Sequence, residues 1–152
     1  MHTIDEIDLK ILSILMKDAR KPYTEVAKEL FVSAGTVHVR MRKLEELGLV
    51  KSYNVQLDHQ KLGYDITAFL GIYLNKSSQY DVVAKQLAAI PEIVDVHYTT
   101  GIYSMFVKLI CRDTEHLRKV LMDKIQKIEE ITRTETFISL QESISRPLKL
   151  DE

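Results

Sequence analysis

The chain has 152 residues, 45% of them hydrophobic, which suits a globular protein with a buried core and excludes a disordered chain. Lys and Arg total 21 against 22 Asp and Glu, a formal net charge of -1, so a surface for nucleic acid has to be a local patch and not a global bias. The lone cysteine excludes an intrachain disulfide, no run approaches the ~20 apolar residues of a membrane span, and "MHTIDEIDLK" lacks the basic start and apolar run of a signal peptide, so the expected location is the cytoplasm.

In the first segment Ile4, Ile7, Ile11, Ile14 and Leu15 recur at three and four residues, one apolar stripe on a helix that ends before Pro22. "YTEVAKELFV" predicts a shorter helix burying Val26, Ala27 and Leu30. A turn at Phe31 and Val32 leads to Ser33, whose hydroxyl suits the N-cap of a third helix. Val37, Met41, Leu44 and Leu47 form its inward stripe, and Gly48 follows where helices often end in a left-handed conformation.

"KSYNVQLD" alternates Tyr53, Val55 and Leu57 with polar residues and predicts a half-buried strand, followed by a linker turning at Gly63. Beyond it come a strand "ITAFLGIYLN", a helix "YDVVAKQLAAI" stopping at Pro91, and strands "IVDVHYTT" and "YSMFVKLICR" around a tight "TGI" connection. A helix "TEHLRKVLMDKIQKI" with Leu117, Val120, Leu121, Ile125 and Ile128 inward and a closing strand "RTETFISL" complete the chain. The order βαββαβ is that of the ferredoxin-like fold, an antiparallel sheet with both helices on one face. The fold class is therefore α+β: a three-helix domain with a hinge strand over 1–63 and a ferredoxin-like domain over 64–152. The first and third strands are apolar on both faces; Phe69, Tyr73, Phe106 and Ile110 would remain exposed on a monomer, which implies a dimer formed sheet to sheet. Cys111, in "MFVKLIC" with no basic neighbour, reads as a core thiol.

The stretch "SAGTVHVRMRK" holds three basic residues and a histidine with no acid, although acids are favoured in a helix's first turn. At ~100° per residue, inward Val37, Met41 and Leu44 leave Gly35, Thr36, Val39, Arg42 and Lys43 outward, with His38 and Arg40 on the flanks. A helix that is small at its tip and basic on its exposed face, joined by a short turn to a preceding helix, is the arrangement that enters a DNA major groove. Thr36 and His38 suit hydrogen bonds to base edges or phosphate, and arginine suits guanine. A solvated basic face on a plain interaction module is the alternative.

In "HYTTGIYS", hydroxyls of Thr99, Thr100, Tyr103 and Ser104 surround Gly101, whose turn exposes amides that could hold a small carboxylate. Composition alone favours an ordinary hairpin turn. Thr134 and Thr136 share one face of the last strand and Glu135 the other. His2, His38, His59, His97 and His116 show no ligand spacing, and no phosphate loop or nucleophile elbow is present, so neither a metal nor catalysis is expected.

The run from "DEIDLKILSILMKDARKPYTEVAKELFVSAGTVHVRMRK" through "KSYNVQLDHQKLGYD" resembles the DNA-binding half of the Lrp/AsnC (feast/famine) transcription regulators. "HYTTGIYSMFVKL" with "KIQKIEEITRTETFISLQ" resembles their ligand-binding half, so the likeness covers nearly the whole chain. It implies double-stranded DNA as partner, read by Ser33, Gly35, Thr36, His38, Val39, Arg40, Arg42 and Lys43, and dimers assembling into octamers or other multimers. It further implies a small amino acid, and no other cofactor, bound by Tyr98, Thr99, Thr100, Gly101, Ile102, Tyr103 and Ser104, with Thr134, Glu135 and Thr136 supplied from a neighbouring dimer. The common family loop is Gly-x-Tyr-Asp, whereas this chain has "GIYS"; that departure and "TETFISLQ" are most similar to the asparagine-responsive branch, which makes asparagine the expected effector. The alternatives are an effector-independent, DNA-compacting architectural protein of the same fold, and an enzyme or carrier whose helices only dock.

Overall fold

The computed structural model describes residues 4–150; His2 and the outermost residues of the two expected domains lie outside them. The chain divides into two compact units, residues up to Gln56 together with those from Ile144, and Leu57–Ser143. By this division the segment from Ile144 groups with the helical unit, whereas the expected sheet domain runs over 64–152.

The helical unit contains α1 (Glu6–Lys17), α2 (Tyr23–Glu29) and α3 (Ala34–Glu46). Asp5 caps α1 in a reciprocal capping box with Asp8, which satisfies two backbone amides that the helix itself leaves free. Ile11, Leu15, Val26, Ala27, Val37, Met41 and Leu44 form one buried cluster, with Leu30 only partly buried beside it. Burial of each large side chain among them is worth about 1.5–3 kcal/mol. Leu47, expected inside, is the C-cap of α3 and half exposed, because the chain leaves the helical path there and turns at Gly48, φ 69°.

The expected strand over 51–58 does not form: these residues belong to no ladder, and Val55 and Leu57 are exposed. Alternation fits a sheet face, but a strand also needs a partner for its amides and carbonyls, and none lies alongside within the unit. A 3-10 turn, Gln60–Leu62, then ends at left-handed Gly63.

The second unit is built from β1 (Ile66–Leu74), α4 (Tyr80–Ala88), β2 (Ile93–Tyr98), β3 (Met105–Cys111), α5 (Thr114–Lys119) and β4 (Ile131–Ile138). The sheet order is β2-β3-β1-β4, antiparallel throughout, as the ferredoxin-like reading requires. Ala68, Leu70 and Ile72 of β1 pack with Met105, Val107 and Leu109 of β3 against Val83 and Leu87 of α4 and Leu117 of α5. Cys111 is fully buried in the same core, and burial pushes its thiol up to about 11. Two differences separate structure and expectation. The helix after β3 keeps α-geometry only to Lys119 and continues as a π turn, Val120–Lys124, and a 3-10 turn, Ile125–Lys127, while Val120, Ile125 and Ile128 still reach the core. The β2–β3 connection is not a tight turn at "TGI" but the whole loop 99–104.

On the sheet's other face Phe69 stacks on Phe106 with ring centroids 5.8 Å apart and Phe137 is 46% exposed, an aromatic surface; Ile110, expected to be exposed with Phe69, Tyr73 and Phe106, is instead buried.

Candidate functional site

α3 begins at Ser33, whose Oγ accepts the Thr36 amide at 3.0 Å and shares a 2.8 Å hydrogen bond with the Thr36 hydroxyl. The first turn holds no acid. Val37, Met41 and Leu44 are pinned in the core, which turns Gly35, His38, Val39 and Arg42 to solvent; Val39 is 70% exposed, and Thr36, Arg40 and Lys43 are half-buried along the flanks. Arg42 Nε donates to Glu46 at 3.0 Å on the exposed surface, a pair too solvated to hold the guanidinium against a competing phosphate or base. The His38 ring meets Tyr23 edge-on, with centroids 4.7 Å apart.

Arg40 differs from its neighbours. Its Nη1 donates to Asp5 at 2.6 Å and to Asp8 at 2.8 Å, and the Asp8 side chain is fully buried. The hydrogen bond donated to Asp5 holds the Arg40 pKa above its ordinary range, and the same bond keeps the Asp5 carboxyl below the usual carboxylate value. Each aspartate uses one oxygen for the capping box and the other for Arg40, so the N-terminus of α1 is tied to the middle of α3. This clamp was missed in the sequence, because residues 32 to 35 apart leave no local spacing signal.

The second cluster surrounds the loop 99–104. Thr99 N donates to the Ser104 carbonyl at 3.2 Å and Thr99 Oγ1 to the Tyr103 carbonyl at 3.0 Å, which closes the loop. Gly101 sits at φ 99°, where a side chain would be strained. The amides of Thr100, Gly101 and Ile102 make no hydrogen bond among the described residues, and Ile102 is 72% exposed. Ser104 is tied down: its amide donates to the Ile72 carbonyl at 2.8 Å and its hydroxyl accepts from Leu74 N at 3.3 Å. Tyr98 stays more than half exposed at the end of β2, its ring packed on Tyr80 at 4.7 Å.

Tyr103 folds back over the open sheet face, and its hydroxyl donates to Glu135 at 2.8 Å. Tyr73 OH donates to the other Glu135 oxygen at 3.1 Å, and Arg133 bridges to both Glu135 and Tyr73 while its guanidinium stacks over the Tyr73 ring at 4.3 Å. The Tyr103 hydrogen bond lowers the pKa of Glu135, whose carboxylate is balanced by the paired Arg133 guanidinium. Glu135 therefore meets the loop within one chain, whereas Thr134 and Thr136 pair with Ile72 and Leu70 and face away from it. Gly71 makes this possible: a Cβ there would lie 2.5 Å from two ring carbons of Tyr103. A glycine inside an apolar strand is the sequence signal for such a close approach, and it passed unused.

His116 donates through Nε2 to Glu92 at 3.0 Å and accepts the Arg112 amide at Nδ1, a structural tie and not a poised base. Among the described residues no group of three or more His, Cys, Asp or Glu could hold a metal, and no helix is long and apolar enough to cross a membrane.

Two family models match the chain, one over each part. A winged helix-turn-helix DNA-binding model matches residues 4–51, and the Lrp/AsnC ligand binding domain matches 67–148. Regulatory protein AsnC of Haemophilus influenzae is 48% identical over 149 residues, covering 98% of this chain and 99% of that one. The HTH-type transcriptional regulator FL11 of Pyrococcus horikoshii is 39% identical over 149 residues, covering 96% and 97%. The structure of Escherichia coli AsnC superposes with a TM-score of 0.92 at 40% identity, covering 98% of this chain and all of that one. A basic, N-capped helix in one unit, a βαββαβ sheet domain in the other, and similarity to such regulators over nearly the full length lead to one conclusion: the chain belongs to the Lrp/AsnC family, DNA-binding transcription regulators modulated by small amino acids.

Proposed function

We propose that the chain controls transcription by reading DNA with α3 and that L-asparagine is its effector. The observation that carries the reading is the acid-free start of α3, which presents the exposed His38, Val39 and Arg42, with Thr36 on the flank, toward base edges and sets Ser33, Gly35 and Lys43 near the phosphates. Arg40, held by Asp5 and Asp8, serves to fix the angle of α3 and not to touch DNA. Asparagine would set its carboxylate on the amides of Thr100 and Gly101, beside Tyr98, Thr99 and Ile102. Ser104 shapes the loop, and Glu135, presented by Tyr103, supplies negative charge for the ammonium group. The name of the AsnC relatives supports asparagine. A second copy covers the Phe69, Phe106 and Phe137 face, dimers associate into an octamer, and Thr134 and Thr136 of a neighbouring dimer approach the effector. The protein works in the cytoplasm.

A thermal-shift screen of the twenty amino acids against wild type and Gly101→Asp tests this. Asparagine should raise the wild-type Tm, because a ligand of the folded state alone stabilises by mass action, about 2.7 kcal/mol at a hundredfold excess over Kd. Gly101→Asp should bind operator normally and show no shift. No response to any amino acid, with sequence-specific DNA binding intact, would replace this reading by effector-independent DNA compaction.

A further inference from the structure

The turn between α2 and α3 places Phe31 at φ 55°, the one non-glycine residue with positive φ among those described, and leaves its side chain 96% exposed. Both features work against the free protein. A bulky L-residue is strained in the left-handed region, and a phenyl ring in water gains nothing from burial. The strain has a clear cause: Phe31 N donates to the Lys28 carbonyl at 3.4 Å and Val32 N to the Ala27 carbonyl at 3.0 Å, closing the end of α2 while Val32 turns in toward the core. Glycine or asparagine would close the same turn without strain, so the phenyl ring is not there for the fold.

Its location suggests what it is for. Phe31 lies two residues before the Ser33 cap, beside the tip of α3. The charge around it suits a polyanion: Lys28 is exposed on the last turn of α2, Glu29 is paired with Lys21, and α3 carries no acid before Glu45. Resting on the proposed function, we infer that Phe31 is a DNA contact, its ring packing on the deoxyribose faces at the edge of the groove that α3 enters. Such a contact removes apolar surface from water, reads no base and releases no counterion. It separates Phe31 from Arg42, which reads sequence, and from Lys43, which neutralises phosphate.

The test measures two quantities on full-length wild type, Phe31→Gly, Phe31→Asn and Phe31→Tyr: Tm, and affinity over a salt series for an operator selected from random duplexes and for a scrambled duplex. The glycine and asparagine variants should melt higher, by roughly 2–6 °C, yet bind both duplexes about tenfold more weakly, with the same slope of log K against log salt. Phe31→Tyr should keep the wild-type Tm and affinity. Glycine and asparagine variants binding within about twofold of wild type would overturn the inference and turn the ring toward a protein partner instead. A shallower salt slope, or a loss confined to the operator, would overturn it as well, because the ring would then be positioning a cation or reading sequence. Wild type binding neither duplex would overturn the underlying reading of α3, an outcome distinct from failure at Phe31.

Discussion

Replacing Arg40 by methionine keeps most of the apolar stem and removes the charge that joins α1 to α3. The magnitude follows from burial. Breaking a fully buried ion pair costs about 3–5 kcal/mol because a charge is left unpaired. Here Asp8 is fully buried, but the Arg40 and Asp5 side chains are 24% and 49% exposed, so water compensates in part. A loss of about 2 kcal/mol is expected after that discount. Urea unfolding followed by far-ultraviolet circular dichroism measures it. The difference from wild type should also depend on pH. The hydrogen bond from Arg40 holds the folded-state pKa of Asp5 below the ordinary carboxylate value, so the stabilisation is present above that ordinary value and is lost as pH falls through the lowered one. Operator affinity should drop without a change in salt slope, since no phosphate contact is removed. An unchanged urea midpoint together with a shallower salt slope would refute the reasoning and make Arg40 a phosphate ligand.

Arg42→Ala should cost about 1–3 kcal/mol of operator binding and relax preference at one base position, measured by gel shift on single-base variants. Gly71→Ala should force the Tyr103 ring off the sheet and weaken asparagine binding by about tenfold in calorimetry, with operator affinity in the absence of effector unchanged; full asparagine affinity would detach the ring from the site. Cys111, buried and with its thiol pushed up to about 11, should resist a thiol-specific reagent at pH 8 until urea unfolds the protein.

Elements with a strong internal period were legible in the sequence. The stripe of Val37, Met41 and Leu44 identified α3 and its outward face, and the βαββαβ order followed from apolar runs punctuated by Gly63 and Pro91. What escaped depends on distance or on a missing partner. The pattern at Tyr53, Val55 and Leu57 is that of a strand, but the ladder it needs is not within the unit. Arg40 looked like its basic neighbours, because nothing local reveals that two aspartates more than thirty positions earlier hold it. Likewise Glu135 and Tyr103 meet because β1 lies beside both β3 and β4 and has Gly71 at the crossing, a fact of register and not of motif.

The central claim, that one unit reads DNA under control of an amino acid bound by the other, is tested most directly by fluorescence anisotropy of a selected operator titrated with full-length protein, with and without saturating L-asparagine. The account predicts tight, sequence-specific binding whose affinity shifts at least fivefold with asparagine and does not shift with Gly101→Asp. Superimposable curves with and without asparagine, from protein shown by calorimetry to have bound it, would contradict the coupling.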